Sequence, residues 1–269
     1  MKTIIFLNNK GGVGKTASVT TIAHMMAEKY NKKVLIIDLD PQMNSTMMFS
    51  EIDFAQIFND ICRGVNVGKK GVERLLLDKN VDIHECIVKT NYKNLDIIPS
   101  CLTLSGTEDL MKSDVASPQQ FKLKRHLNAV KDEYDYCIID TSPSLSLINM
   151  NGLAAADELY IPLKCDGGSL LGVGLVTSIY ETVAEYNVNL KIGGIFFTQW
   201  NERKNVSKVV YQILNKKFGK YMLPISIGTS KNMEESTLAQ TPLWDYDNKK
   251  SKCKVTEDYI ELTEYILNK

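Results

Sequence analysis

Short apolar runs rich in Val, Ile and Leu alternate along this chain with longer stretches in which apolar residues recur every three to four positions. The first kind reads as strands buried on both faces and the second as helices. The clearest strands span Thr3 to Asn8, Val34 to Asp38, Leu95 to Pro99, Tyr136 to Asp140, Glu158 to Pro162 and Ile192 to Thr198, and Leu223 to Ile227 is a weaker seventh. A helix over Lys15 to Tyr30 carries Val19, Ile22, Ala23, Met26 and Ala27 on one face. Strands alternating with helices in this way predict an α/β fold, one doubly wound and mostly parallel sheet flanked by helices on both faces. Phe49 to Asn91 is less regular, with surface helices expected there. No repeat, low-complexity tract or linker interrupts the pattern, so residues 1–269 read as one domain. A first strand at residue 3 leaves no room for an N-terminal helix-turn-helix, so site-specific DNA reading would fall to another protein.

Composition narrows the setting. The 269 residues are 44% hydrophobic, enough for a substantial core, and 32 basic residues balance 32 acidic ones, so attraction to nucleic acid would need a local patch. Six cysteines (Cys62, Cys86, Cys101, Cys137, Cys165, Cys253) are scattered without a CxxC pair and read as reduced, incidental thiols. The N-terminus lacks the layout of a signal peptide, and no apolar run approaches the roughly 20 residues of a membrane span. A cytoplasmic protein is expected.

Three segments carry chemistry. Asn8-Asn9-Lys10-Gly11-Gly12-Val13-Gly14-Lys15-Thr16 follows a strand and opens a helix, the setting of a phosphate-binding loop. Its glycines let backbone N–H groups face phosphate oxygens, Lys15 would reach the β- and γ-phosphates, and the Thr16 hydroxyl would ligate Mg²⁺. Asn9 stands where the strict Walker A pattern has glycine, so the match is a deviant one. Gly12 to Ala17 also satisfies the G-x-G-x-x-G/A pattern of a dinucleotide oxidoreductase, with Asp38 placed to hold a ribose. Lys15-Thr16 argues for a triphosphate with metal instead, because a pyrophosphate needs neither group. The second segment is Asp38-Leu39-Asp40-Pro41-Gln42-Met43-Asn44-Ser45-Thr46, and the third runs from Tyr134 to Ser144 and delivers Asp140 to a strand end. Either carboxylate alone could cap a strand. Together with the loop they converge on the sheet edge where ligands of parallel sheets bind, Asp140 suited to holding Mg²⁺ through water and a second carboxylate to positioning the attacking water.

KGGVGKT, DLDPQMNST and YDYCIIDTSPS occur in the order and spacing of the ParA/MinD family of deviant Walker ATPases, which this chain resembles along nearly its whole length. The resemblance implies a P-loop ATPase, with ATP and Mg²⁺ as cofactors. It implies that Lys10 crosses to the phosphates of a second subunit, sandwiching ATP in a homodimer, that Asp40 positions the water, and that Asp38 supports the metal. By position, Thr198, Asn201 and Pro224 would flank the adenine, beside a nucleotide loop of Lys10, Gly11, Gly12, Val13, Gly14, Lys15, Thr16 and Ala17. The sequence departs from the family at Ala17, across Cys165 to Leu170, and across Pro224 to Thr241.

Between Asn201 and Lys220, the basic residues Arg203, Lys204, Lys208, Lys216, Lys217 and Lys220 face the single acid Glu202. Val206, Val209, Val210, Ile213 and Leu214 are expected to form the buried face of this helix, leaving Lys208, Gln212 and Lys216 in solvent. The patch reads either as a solvated face or as a non-specific DNA contact. Lys249, Lys250, Lys252 and Lys254 form a second cluster. Membrane-bound MinD-like relatives end in a basic amphipathic helix, whereas Thr256 to Lys269 contains four acids and places Tyr259, Leu262, Tyr265 and Ile266 at core-packing spacing. Nothing pairs two cysteines for an iron–sulfur cluster. The leading expectation is a partitioning ATPase, slow without a ParB-like adaptor, associated with the nucleoid through non-specific DNA. The alternative is an ATPase that positions a protein cluster or an envelope machine without DNA.

Overall fold

A computed structural model describes residues 1–50, 71–114, 118–249 and 253–269. Among the described residues eight strands form one sheet: β1 (Lys2–Phe6), β2 (Val34–Leu39), β3 (Val88–Lys89), β4 (Leu95–Ile98), β5 (Tyr136–Thr141), β6 (Glu158–Lys164), β7 (Lys191–Thr198) and β8 (Met222–Ser226). Their order is β3-β4-β2-β5-β1-β6-β7-β8. All neighbours are parallel except β3, which runs antiparallel to β4 through Val88 opposite Ile97 and Lys89 opposite Asp96. The expected doubly wound parallel sheet is therefore present. All seven expected strands occur, while the two-residue β3 escaped the sequence because so short a piece has no period to detect.

The strands read as unbroken apolar runs because both faces are covered. Along β1 and the residue after it, successive side chains alternate between two cores, Ile5 and Leu7 facing one and Ile4 and Phe6 the other. Residues of β2 do the same, with Leu35, Ile37 and Leu39 on the first side and Val34 and Ile36 on the second.

The second core is built on α1 (Lys15–Glu28), which is buried from Ser18 through Ala27 and so is covered all round rather than on one stripe. The last helix packs against it: within Lys254–Leu267, Tyr259, Leu262 and Ile266 are buried, and the Tyr259 hydroxyl lies 3.1 Å from Ser18 Oγ. Tyr30 OH donates to Glu264 at 2.7 Å. The acidic terminal helix thus packs on the domain, as its spacing predicts. Of the irregular stretch, residues 51–70, including Cys62, lie outside the described residues. α2 (Asn44–Phe49) ends where the stretch begins, and its described part holds α3 (Val72–Leu77), which buries Val72, Leu75 and Leu76 in the first core rather than lying on the surface. Among the described residues no helix is long and apolar enough to cross a membrane, and Cys86, Cys101, Cys137, Cys165 and Cys253 are all free thiols.

The remaining helices are α4 (Leu104–Ser113), α5 (Lys122–Leu127), α6 (Leu147–Ala155), α7 (Ser169–Ala184), α8 (Asn205–Phe218), α9 (Lys231–Leu238), α10 (Leu243–Lys249) and α11 (Lys254–Leu267). One expectation fails on α8. Ser207, Val210 and Leu214 form its buried face, whereas Val206, Val209 and Ile213 are 56%, 53% and 47% exposed. The helix lies over the sheet edge, where β8 is the terminal strand, so there is core for only a narrow arc of it.

Candidate nucleotide site

In parallel strands every C-terminal end opens on the same edge, and β5 lies between β2 and β1. The loops after β1, β2 and β5 therefore converge at one place. The loop after β1 is pinned at its root by Asn8, whose Nδ2 donates to the Pro162 carbonyl at 2.8 Å while its Oδ1 accepts from the Lys10 N–H at 3.0 Å. Gly12 and Gly14 take left-handed backbone angles, φ 69° and 81°, open to glycine at little steric cost. The loop is held from the side by β7. Thr198 Oγ1 donates to the Val13 carbonyl at 2.9 Å, and Gln199 Nε2 donates to the Gly12 carbonyl at 3.1 Å. A Cβ on Gly14 would come within 3.3 Å of Thr198 Cγ2.

Lys15 opens α1 and is buried, its Nζ donating to the Lys10 carbonyl at 3.2 Å. Burial lowers its pKa, and the charges of Asp140 and Asp40 oppose that shift. Asp38 and Asp140 stand directly opposite each other in the β2–β5 register, and both are fully buried. Asp38 accepts from the Thr46 N–H at 2.8 Å, the Thr46 hydroxyl at 2.7 Å and the Asp40 N–H at 3.0 Å. Asp140 accepts from Ser45 Oγ at 2.7 Å and from the Thr141 N–H at 3.0 Å. Desolvation raises the pKa of both carboxyls; the Asp140 charge adds to the rise at Asp38, while hydroxyl donors pull against it at each. Asp40, also buried, accepts from the Gln42 N–H at 2.9 Å.

This arrangement suits a divalent cation. Two buried carboxylates are crowded together with Lys15 as the nearby cation, and the donors are hard oxygens, the Thr16 hydroxyl close to Asp140 among them. Among the described residues no set of three or more His, Cys, Asp or Glu side chains could hold a metal by itself. An ion here would complete its shell from phosphate oxygens and water, as Mg²⁺ commonly does. The ribose role weighed for Asp38 does not fit, because its carboxylate is turned inward onto Thr46 and Asp40.

Lys10 lies outside this buried group. Its Nζ forms an ion pair with Asp166 of the same chain, each side chain about one-third exposed. Burial alone would raise the Asp166 pKa, but Lys10, Ser169 and the Gly168 N–H outweigh it and hold the carboxyl below its usual range. Asp166 sits in the segment where the sequence departs from the family, and no motif pointed to it.

Of the expected base contacts, Thr198 lines a cavity of about 170 Å³ beside Gly14 and Ala17, together with Gln199, Ile227, Ser230 and Met233. Asn201 and Pro224 line an adjoining cavity of about 470 Å³ instead. Ser45 and Thr46 hold the two carboxylates, a role that the motif containing them does not reveal. Arg203, Lys204, Lys208, Lys216 and Lys217 are all exposed and none is in an ion pair among the described residues. Lys250 and Lys252 of the second cluster, and the side chain of Lys249, lie outside the described residues.

Comparison with known proteins agrees with this geometry. A family profile described as an AAA domain matches residues 1–192. The chromosome-partitioning ATPase Soj of Treponema pallidum is 34% identical over 268 residues, covering 99% of this chain and 97% of that protein. A putative plasmid partition protein of Borrelia burgdorferi bound to AMPPNP superimposes with a TM-score of 0.77 at 27% identity, over 99% and 98% of the two chains. The apo form of McdA from Cyanothece shares the fold, with a TM-score of 0.83 at 20% identity over 99% of each chain. With its phosphate loop, paired strand-end carboxylates and full-length match to Soj, the chain belongs to the Soj/ParA family of partitioning ATPases.

Proposed function

We propose that the protein is a nucleotide-switched partitioning ATPase of one domain, residues 1–269, which closes into a homodimer on Mg-ATP, holds DNA non-specifically in that state, and lets go after hydrolysis. Lys15, Thr16, Asp38, Asp40 and Asp140 converge on one sheet edge, with Lys10 at the rim in a separate ion pair about one-third exposed, and that convergence carries the reading.

Each residue has a role in this reading. Backbone N–H groups of Gly11 to Thr16 receive phosphate oxygens at the start of α1. Lys15, nearly dehydrated, attracts the terminal phosphates more strongly than a solvated lysine would. Thr16 and Asp140 hold Mg²⁺, with Asp38 bracing the loop that carries Asp40. When bound, Mg²⁺ supplies charge neutralisation for the phosphoryl group. Asp40 orients the attacking water, and Lys10 leaves Asp166 to reach the partner subunit's nucleotide, acting as a cation in trans. Thr198, with the cavity beside Gly14 and Ala17, supports the base there.

Exposed Arg203, Lys204, Lys208, Lys216 and Lys217 support a phosphate-backbone contact that dimerisation would double. A ParB-like adaptor carrying the cargo completes turnover, and the compartment is the cytoplasm at the nucleoid. Binding of a fluorescent ATP analogue with Mg²⁺ tests the core claim. The wild-type chain binds it and Lys15→Ala does not; equal binding by both would place the nucleotide elsewhere.

A further inference from the structure

The loop leaving β5, Ser142 to Leu145, starts two residues past Asp140 and lies between the loop that carries Lys15 and the loop that carries Asp40. Its surface is open: Pro143 is exposed and Leu145 is 42% exposed. One buried side chain holds it from beneath. Asn149, in the first turn of α6 and 2% exposed, donates through Nδ2 to the Ser144 carbonyl at 2.8 Å and the Ser142 carbonyl at 3.0 Å. The same nitrogen lies 3.3 Å and 3.4 Å from the Ser142 and Ser144 hydroxyls, which are 2.8 Å from each other. The α6 end is itself fixed, because Ser146 Oγ accepts from the Asn149 N–H at 3.2 Å.

The other half of the same amide is idle. Asn149 Oδ1 is buried and accepts no hydrogen bond from any described residue. A buried acceptor without a donor is costly in a fixed structure. It is better suited to a loop with two arrangements, one held by Nδ2 and a second that supplies a donor to Oδ1. Pro143 has no N–H, so the donors the loop itself can turn inward are those of Ser142, Ser144 and Leu145. Asn151, on the same helix, is a contrast: it is fully buried with both ends of its amide in use, to the Gln119 and Leu147 carbonyls and from the Leu123 N–H.

We propose that Asn149 is a positioning residue through which the Ser142–Leu145 loop distinguishes ATP from ADP. It holds the loop in a resting arrangement through Nδ2 and receives a loop donor on Oδ1 when the terminal phosphate is present. This rests on the nucleotide reading above. Asn149 touches no reacting atom and acts only by setting the loop.

Hydrogen exchange of the segment 141–150, in the full-length chain with Mg-ADP or a non-hydrolysable Mg-ATP analogue, together with steady-state turnover, tests it. The wild type exchanges this segment differently in the two states. Asn149→Ala abolishes that difference and lowers kcat at least tenfold, with the affinity for Mg-ADP changed less than twofold. Asn149→Thr, which keeps one donor, restores part of both and carries the test if the alanine variant fails to fold. Asn151→Ala lowers Tm but keeps the ATP–ADP difference. The proposal is overturned if a folded Asn149 variant loses only Tm while retaining wild-type kcat and the exchange difference. A wild type that binds no nucleotide overturns the function reading itself, and a wild type that binds and hydrolyses ATP without any difference at 141–150 overturns this inference alone.

Discussion

The hydroxyl of Thr46 sits at the centre of a buried chain of hydrogen bonds, donating to Asp38 at 2.7 Å and accepting from the Ser100 N–H at 2.8 Å. Thr46→Val keeps the shape and removes both bonds. A hydrogen bond to a charged acceptor contributes about 1.5–3 kcal/mol, and a buried N–H left unpaired costs about 1–3 kcal/mol. Asp38 has an escape: burial already raises its pKa, so it takes up a proton instead of remaining an under-bonded anion. That limits the first contribution to the lower end of its range. The expected destabilisation is about 3 kcal/mol, which in a chain of this size corresponds to a fall in Tm of roughly 6–12 °C. Chemical denaturation without nucleotide measures it. Thr20→Val is the control, because among the described residues the Thr20 hydroxyl bonds only the Thr16 and Ala17 carbonyls of its own helix, and its loss should cost under about 1 kcal/mol. If Thr46→Val costs no more than Thr20→Val, the bonds to Asp38 and Ser100 do not brace the Asp40 loop and the reasoning is wrong.

Lys10→Ala should leave monomer affinity for Mg-ATP within a few-fold of wild type and reduce partner-stimulated turnover by roughly a thousandfold, read by phosphate release; retained turnover would remove the role in trans. Asp166→Asn breaks an ion pair that is one-third exposed, so it should change unfolding free energy by less than about 1 kcal/mol. On α8, Leu214→Ala should cost about 2–5 kcal/mol, whereas Val209→Ser should stay within about 1 kcal/mol; the reverse order would contradict the observed rotation of that helix. His84 bridges Glu133 and Asp82 at 2.8 and 2.7 Å, and those contacts raise its pKa, Glu133 most. With the folded value above the unfolded one, the stabilisation is complete below about pH 6 and disappears as pH rises through the folded pKa. The Tm gap between wild type and His84→Gln should therefore be widest in mild acid and close in base; a gap that widens with pH would reverse the sign.

The phosphate loop and the strand-end carboxylates were legible because each lies in a contiguous segment whose context, strand then turn, is local. The sheet was legible because parallel strands covered on both faces leave unbroken apolar runs. What was not legible depends on contacts across the chain. Ser45 reaches Asp140 over a separation of 95 residues, and the Lys10–Asp166 pair joins two loops that no local pattern relates. The α8 face was misplaced for another reason. Its apolar residues cover a wider arc than the sheet edge can bury, and the periodicity of Val206, Val209 and Ile213 gives no information about what lies beneath them. Asn149 was missed because a buried amide in a short apolar helix resembles any other until its bonds are counted.

In the proposed cycle the terminal phosphate governs a switch from monomer to DNA-holding dimer. Light scattering of Asp40→Ala with Mg-ATP, alone and then with short duplex DNA at low and moderate salt, tests it most directly. Twice the monomer mass is expected with ATP, no change with ADP, and duplex binding that weakens as salt rises. A protein that remains monomeric with Mg-ATP would contradict it.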